Sequence, residues 1–194
     1  MKGEILKLLK ESDGYLSGQE LCERFGVSRT AVWKVINQLK EEGYEIEAIR
    51  NKGYILKSVS DVLSKEELES SLKTRWAGKE IHYFDRTDST NIQARLAGEA
   101  GASHGTLAVA EIQDGGRGRR GRNWISPAGV GVWMSLLLRP EISPVSASML
   151  TLVMALAAQK GIKEATGIES QIKWPNDLVL NKKKICGILT EMGT

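Results

Sequence analysis

Histidine and cysteine are scarce in this chain. His82 and His104 are its two histidines, and neither has a cysteine or carboxylate at metal-ligand spacing, which argues against a zinc site. Cys22 and Cys186 lie in separate segments with no CxxC spacing. They read as small apolar side chains and exclude a disulfide framework. No apolar run approaches the roughly 20 residues that span a bilayer, and the N-terminus lacks a signal-peptide pattern. That points to the cytoplasm and to no membrane partner. An excess of one charge is also missing: 27 basic against 24 acidic residues give +3, too mild to announce a nucleic-acid partner by itself.

What remains is ordinary in bulk and unusual in places. With 194 residues, 41% hydrophobic and 26% charged, the chain can build one large core or two modest ones. The first 57 residues carry ten Lys and Arg against nine Asp and Glu, so any DNA-binding claim there rests on pattern. Ile5, Leu6 and Leu9 stripe a first helix. Ser17 and Glu20 form a capping box for a second, with Leu21 and Phe25 on one face. Gly26 provides a left-handed turn, and Ser28 caps a third helix whose Val32, Ile36 and Leu39 face inward. "YEIEAIRNKGYILK" then reads as two short strands around Asn51-Lys52-Gly53.

Helix, turn, helix and β-hairpin make a winged helix-turn-helix, and this stretch resembles the DNA-binding domains of bacterial regulators. Ser28, Arg29, Thr30, Trp33, Lys34 and Asn37 are left outward at the recognition end, and Arg50 and Lys52 sit at the wing tip beside backbone phosphate. The competing reading is a winged-helix protein-interaction module with a solvated polar face. We expect a DNA-binding domain over 1–60, a linker in the polar "SVSDVLSK" near 58–65, and a second domain over 61–194. There helices and strands alternate: a helix opened by Ser64 and Glu67, a strand "EIHYF", a helix after Asp88-Ser89-Thr90-Asn91, strands "GTLAVAEI" and "VGVWMSLLL", a long apolar helix from about Ser143 to Gly161, and a basic hairpin ending in "KICGILTE". The expected class is α+β, a mixed sheet with helices packed on one face.

Three constellations carry chemistry. "GGRGRRGRNW" interleaves four arginines with four glycines between two strands. Successive glycine N–H groups can wrap an oxyanion while arginines supply bidentate donors, so the segment reads as a phosphate loop unable to hold a shape unaided. It is no Walker A loop, and its letter match to GxGxxG lacks the helix and acidic residue of a dinucleotide fingerprint. The alternative is an RG-type segment that binds RNA loosely. "KWPND" (173–177) alone would be a turn, and "DSTN" (88–91) alone a helix cap.

Together and in this order, "DSTN", "EIQDGGRGRRGRNW" and "KWPNDLVLNKKKICGIL" closely resemble the biotin–protein ligases. With the winged helix attached, the chain resembles their bifunctional form, which is also the biotin operon repressor. The resemblance implies a class II synthetase-like catalytic domain that activates biotin with Mg-ATP to biotinyl-5′-AMP. The product is passed to a lysine of the biotin carboxyl carrier protein of acetyl-CoA carboxylase. It implies binding to operator DNA as a homodimer.

By residue, the resemblance assigns Ser89, Thr90, Asn91 and Gln113 to the biotin ring, and Arg117, Gly118, Arg119 and Lys184 to its carboxylate end. Gly116, Arg117, Arg119, Arg120, Arg122, Trp124, Asn176 and Asp177 fall to ATP or the adenylate. Arg119, Lys173 and Lys184 are the catalytic candidates, and Asp177 is a Mg2+ contact. The family continues past "GILTE" with further strands and an SH3-like barrel, so the resemblance implies an incomplete catalytic domain here. A lipoate ligase or a ligand-sensing transcription factor without ligase activity remain the other readings.

Overall fold

The computed structural model describes residues 1–58 and 63–193. Half of the expected linker, residues 59–62, lies outside the described residues. Two compact units result: Met1–Tyr83 with Gly105–Leu107, and Phe84–His104 with Ala108–Thr194.

The first unit contains α1 (Lys2–Glu11), α2 (Gly18–Phe25), α3 (Arg29–Glu41), the hairpin β1 (Glu45–Ile49) and β2 (Gly53–Ser58), and α4 (Lys65–Ser71). Its caps follow the sequence. Ser17 Oγ accepts from Glu20 N at 3.0 Å, Ser28 Oγ accepts from Ala31 N at 3.2 Å, and Gly26 ends α2 at φ 64°. The 3.6-residue spacing collects Ile5, Leu6, Leu9, Leu21, Val32, Val35, Ile36 and Leu39 with Tyr44 and Ile46 into one core. Full burial of each large aliphatic group stabilises the unit by roughly 2 kcal/mol as an upper estimate.

Glycine is required at position 53. Its φ is 116°, and a Cβ there would stand 2.0 Å from Leu16 O. The close approach exists because Leu16 and Tyr54 exchange two 2.8 Å backbone bonds, an isolated antiparallel bridge beside the two-stranded wing.

Helix α4, which the sequence reading gives to the second segment, packs on α1 within this unit. Lys10 Nζ reaches Glu67 Oε1 and donates to Ser70 Oγ at 3.0 Å, while Tyr44 Oη donates to Glu67 Oε2 at 2.9 Å. Burial, opposed by Ser64 and reinforced by the Glu67 carboxylate, pushes the Tyr44 phenol up to about 12.

The other elements are β3 (Ile81–Thr87), α5 (Thr90–Glu99), β4 (Leu107–Gln113), β5 (Trp133–Leu136), α6 (Met149–Thr166), β6 (Gln171–Lys173), β7 (Asp177–Leu180) and β8 (Lys183–Gly187). The strands form two three-stranded sheets, β3-β4-β5 and β6-β7-β8, the second antiparallel throughout. Arg139 closes the far end of α5, its guanidinium donating to Gly98 O at 2.6 Å and Ala102 O at 3.1 Å.

Two expectations change here. The strand expected to open near Val130 begins at Trp133, with Val130 and Val132 exposed ahead of it. The long helix does not run from Ser143 to Gly161. Pro144 starts a separate 3-10 turn, Pro144–Ser146, and α6 begins at Met149. Gly161 stays helical because glycine merely weakens a helix, by about 1 kcal/mol against alanine. Gly167, left-handed at φ 72° with its N–H returning to Lys163 O at 2.8 Å, is what stops it.

Candidate functional site

The second unit gathers all three constellations. Asp88 Oδ1 accepts from Ser89 N at 2.6 Å, Gln93 Nε2 at 3.0 Å and Thr87 Oγ1 at 3.1 Å. Burial raises this carboxyl, but those donors outweigh it and hold Asp88 below its ordinary range. Ser89 occupies the N-cap position of α5 yet makes no side-chain cap bond. Gln113 replaces it: its Oε1 accepts from Thr90 N at 2.8 Å and from Thr90 Oγ1 at 3.1 Å. The opposite end of that amide donates to Ser126 Oγ at 2.9 Å.

Behind Thr90 lies Ser135, its Oγ 2.8 Å from Thr90 Oγ1 and also hydrogen-bonded to Asn91 Oδ1. Asn91 Nδ2 donates to Glu191 Oε2 at 2.8 Å and Leu189 O at 3.4 Å. So the "DSTN" run holds the N-cap position of α5 without a side-chain cap bond from Ser89. It is one bank of a polar network, with Ser89, Thr90, Ser126 and Ser135 all buried.

The arginine segment starts from this bank. Gly115 N donates to Asp88 O at 2.7 Å, and Asp114 N to Thr87 O at 2.9 Å. Contrary to the expectation that it holds no shape unaided, the segment is a hairpin. Gln113 bridges Ser126, Trp124 N donates to Gly116 O at 2.8 Å, Arg117 bridges Asn123, and Gly118 N donates to Arg122 O at 2.7 Å. Gly116 permits it, since a Cβ there would lie 2.2 Å from Trp124 O. At the tip Arg120 is left-handed at φ 59° and Gly121 at φ 72°. Alternating glycines let backbones approach, and hydrogen bonding supplies the order that composition denies.

The tip meets the "KWPND" turn between β6 and β7: Arg119 Nη1 donates to Asn176 Oδ1 at 3.3 Å. Asn176 is itself fixed, its Nδ2 donating to Ile188 O at 3.1 Å and its carbonyl accepting from Ile188 N at 2.8 Å. Lys184 Nζ lies 2.7 Å from Asp177 Oδ1 and 4.6 Å from the centroid of the Trp124 ring. That Asp177 contact is an ion pair without hydrogen-bond geometry, and the buried oxygen has no hydrogen-bond donor among the described residues. Gly187 leaves room for the stack, since a Cβ there would come within 3.1 Å of Trp124 and 2.8 Å of Lys184 Nζ.

The geometry therefore unites Ser89, Thr90, Asn91 and Gln113 in one cluster, and Arg119, Trp124, Asn176, Asp177 and Lys184 in another. Gly116 and Gly118 belong to the hairpin joining them. Arg117, Arg120 and Arg122 are exposed and make no ion pair with a described residue. Lys173 is exposed on β6, opposite Asp177 in the register. Ser126, Ser135 and Asp88 were absent from the sequence-based site. A polar residue inside the apolar run "WMSLLL" was the available signal for Ser135.

The Mg2+ contact expected of Asp177 is one made through ATP, and the described side chains build no metal site of their own. The carboxylate already faces the Lys184 ammonium, and among the described residues no three His, Cys, Asp or Glu side chains converge on a metal position.

In the first unit, Ser28, Arg29, Thr30, Trp33 and Lys34 are exposed along the start of α3, with Asn37 half-buried, and Arg50 and Lys52 are exposed at the wing tip. Arg29 Nη2 donates to Gln19 Oε1 at 2.9 Å, which positions the guanidinium from α2.

Comparison with known proteins agrees with both units. The chain belongs to the biotin/lipoate A/B protein ligase family, whose profile residues 83–192 match. Residues 3–55 match an HTH domain. The chain is similar to the bifunctional ligase/repressor BirA of Bacillus subtilis, 46% identical over 193 residues, covering 99% of this chain and 59% of that protein. It is also similar to BirA of Escherichia coli, 33% identical over 189 residues, covering 97% and 57%. Among solved structures, the biotin protein ligase from Aquifex aeolicus in complex with biotin and ATP matches with TM-score 0.52 and 37% identity, over 59% of this chain and 47% of that one. The Leishmania major enzyme in complex with biotinyl-5-AMP matches with TM-score 0.52 and 28% identity, over 59% and 53%. The chain thus spans less than two thirds of the length of these relatives. No helix among the described residues is long and apolar enough to cross a membrane.

Proposed function

We propose that this chain activates biotin with ATP and hands it to a carrier-protein lysine, acting as a biotin–[acetyl-CoA-carboxylase] ligase, and that its winged helix represses the biotin operon. The observation that carries the reading is the Arg119–Asn176 contact, which lays an arginine hairpin across the turn beside Lys184 and Trp124, with the Thr90–Gln113 network at its base.

A carboxylate is a poor electrophile, so it must first attack the α-phosphorus of ATP. That forms the acyl phosphate anhydride of biotinyl-5′-AMP and expels pyrophosphate. The lysine amine of the biotin carboxyl carrier protein then attacks the acyl carbon, forming the amide and releasing AMP. Two anions must approach one another in the first step, which requires fixed positive charge. Lys184, Arg117 and Arg119 supply it at the junction. Arg120 and Arg122 neutralise the triphosphate, and Trp124 offers a flat face to adenine. Mg2+ enters with the nucleotide's phosphates. Thr90, Gln113, Ser89 and Asn91 hold the ureido ring, and Lys173 extends the cationic wall.

The anhydride hydrolyses readily, so the hairpin's second task is to keep it from water. In this reading the adenylate also strengthens a homodimer, whose two winged helices meet an inverted-repeat operator. The cytoplasm, where ATP, carrier and operator are all present, is the setting.

The test is to incubate the chain with biotin and Mg-ATP and identify biotinyl-5′-AMP by mass spectrometry; an absence of adenylate refutes the ligase reading. Arg119→Gly is expected to fold normally and release adenylate at least tenfold faster, measured by trapping it on a free amine. Retention equal to wild type refutes the hairpin's role as a cover. Competition by lipoate that matches biotin would reassign the substrate within the family.

A further inference from the structure

The buried Ser135 hydroxyl is unclaimed by the assignments above. It lies on β5, 9% exposed, between Thr90 Oγ1 and Asn91 Oδ1. Two amides of this network, Gln113 beside Thr90 and Asn91 beside Ser135, are fixed in orientation. Only an oxygen can face the Thr90 N–H, so Gln113 turns Oε1 to Thr90 and Nε2 to Ser126. Only an NH2 can face both Leu189 O and the Glu191 carboxylate, so Asn91 turns Oδ1 to Ser135. Thr90 and Ser135 have one hydroxyl proton each. Thr90 donates to Gln113 Oε1, and Ser135 is placed to donate to Thr90 Oγ1 and to Asn91 Oδ1. The Thr90 proton is thus directed into the protein, and the lone pair left over makes Thr90 an acceptor.

We infer that Ser135 is a positioning and specificity-determining residue: it fixes Thr90 as a hydrogen-bond acceptor, so the pocket demands an N–H from the ring it binds. This rests on the reading of the site as a biotin pocket. Biotin's cyclic urea presents such N–H groups. A cyclic carbamate analogue, with a ring N–H replaced by oxygen, presents a lone pair instead and is repelled. Without Ser135 the Thr90 hydroxyl can rotate outward and donate to that oxygen, because Gln113 Oε1 already has the backbone N–H as a partner.

The test is titration calorimetry of the chain with biotin, both carbamate regioisomers and biotin amide, using wild type, Ser135→Ala, Ser135→Cys and Ser135→Thr. Loss of a buried hydrogen-bonding group has an effect on the order of tenfold in affinity. In Ser135→Ala, preference for biotin over the disfavoured carbamate is expected to narrow by about that factor. Preference for biotin over its amide, which reads the carboxylate end, stays unchanged. Ser135→Cys, similar in shape but a weak donor, follows alanine, and Ser135→Thr restores discrimination. Unchanged ring preference in Ser135→Ala overturns the inference, as does an equal fall in both preferences, the mark of a merely structural residue. Wild type that binds no biotin overturns the pocket reading, and the inference with it.

Discussion

The two basic hairpins of this chain differ in how they hold their charge. The wing confines Arg50 and Lys52 to a tip, while its strands are tied to Leu16 by a backbone bridge and join the core through Ile46, with Tyr54 and Leu56 packed against it. The arginine hairpin spreads four arginines along its length, and its backbone bonds are its main support. A cation that meets a polyanion from outside needs a firm post, since DNA arrives already shaped. A cover for one small anion must touch it from several sides and later let it go. Apolar support suits the first task, and glycine-rich main-chain support suits the second.

Four perturbations test that contrast, in falling order of effect. Lys184→Ala removes the cation between Asp177 and Trp124 and is expected to cut pyrophosphate exchange by about 100- to 1000-fold, while transfer from supplied adenylate suffers less. Near-normal exchange would remove Lys184 from the first step. Gly53→Val forces a side chain into Leu16 O at positive φ and should destabilise the first unit by about 3 kcal/mol in denaturant titration. A silent substitution would show that the wing does not depend on its bridge to Leu16.

Arg29→Ala and Trp33→Ala should each weaken operator binding about tenfold in gel retardation and leave adenylation intact. Equal loss of both activities would deny the separation of tasks. The smallest effect is a pH slope. The Tyr44 phenol stands at about 12, above its ordinary 10.0. Its contribution to stability is therefore complete below pH 10 and lost as pH rises toward 12. Melting curves of Tyr44→Phe should lack that part of the alkaline decline, and an unaltered decline would exclude Tyr44 as its source.

How legible each feature was depended on the range of the interactions behind it. Caps at Ser17, Ser28 and Ser64 and the stripe through Ile5, Leu9, Val32 and Leu39 follow from neighbours within a turn or two, and they could be read directly. The ends of α6 could not, because whether Gly161 or Gly167 adopts φ 72° is not written in either glycine. Ser135 was hidden for another reason: its partners Thr90 and Asn91 lie more than 40 residues away. The hairpin of 113–126 was concealed by its own composition, which resembles disorder until Gly116 is seen against Trp124 O.

Sequence alone determined the helical core of the first unit, the exposed polar start of α3, and the presence of the three motifs. Local propensity and periodicity are short-ranged, so they survive in a string of letters. Tertiary structure alone decided that Gln113 caps α5, that Ser135 stands between Thr90 and Asn91, and that Lys184 lies between Asp177 and Trp124. Each depends on a distance between residues far apart in the chain, and that distance is fixed only when the backbone closes.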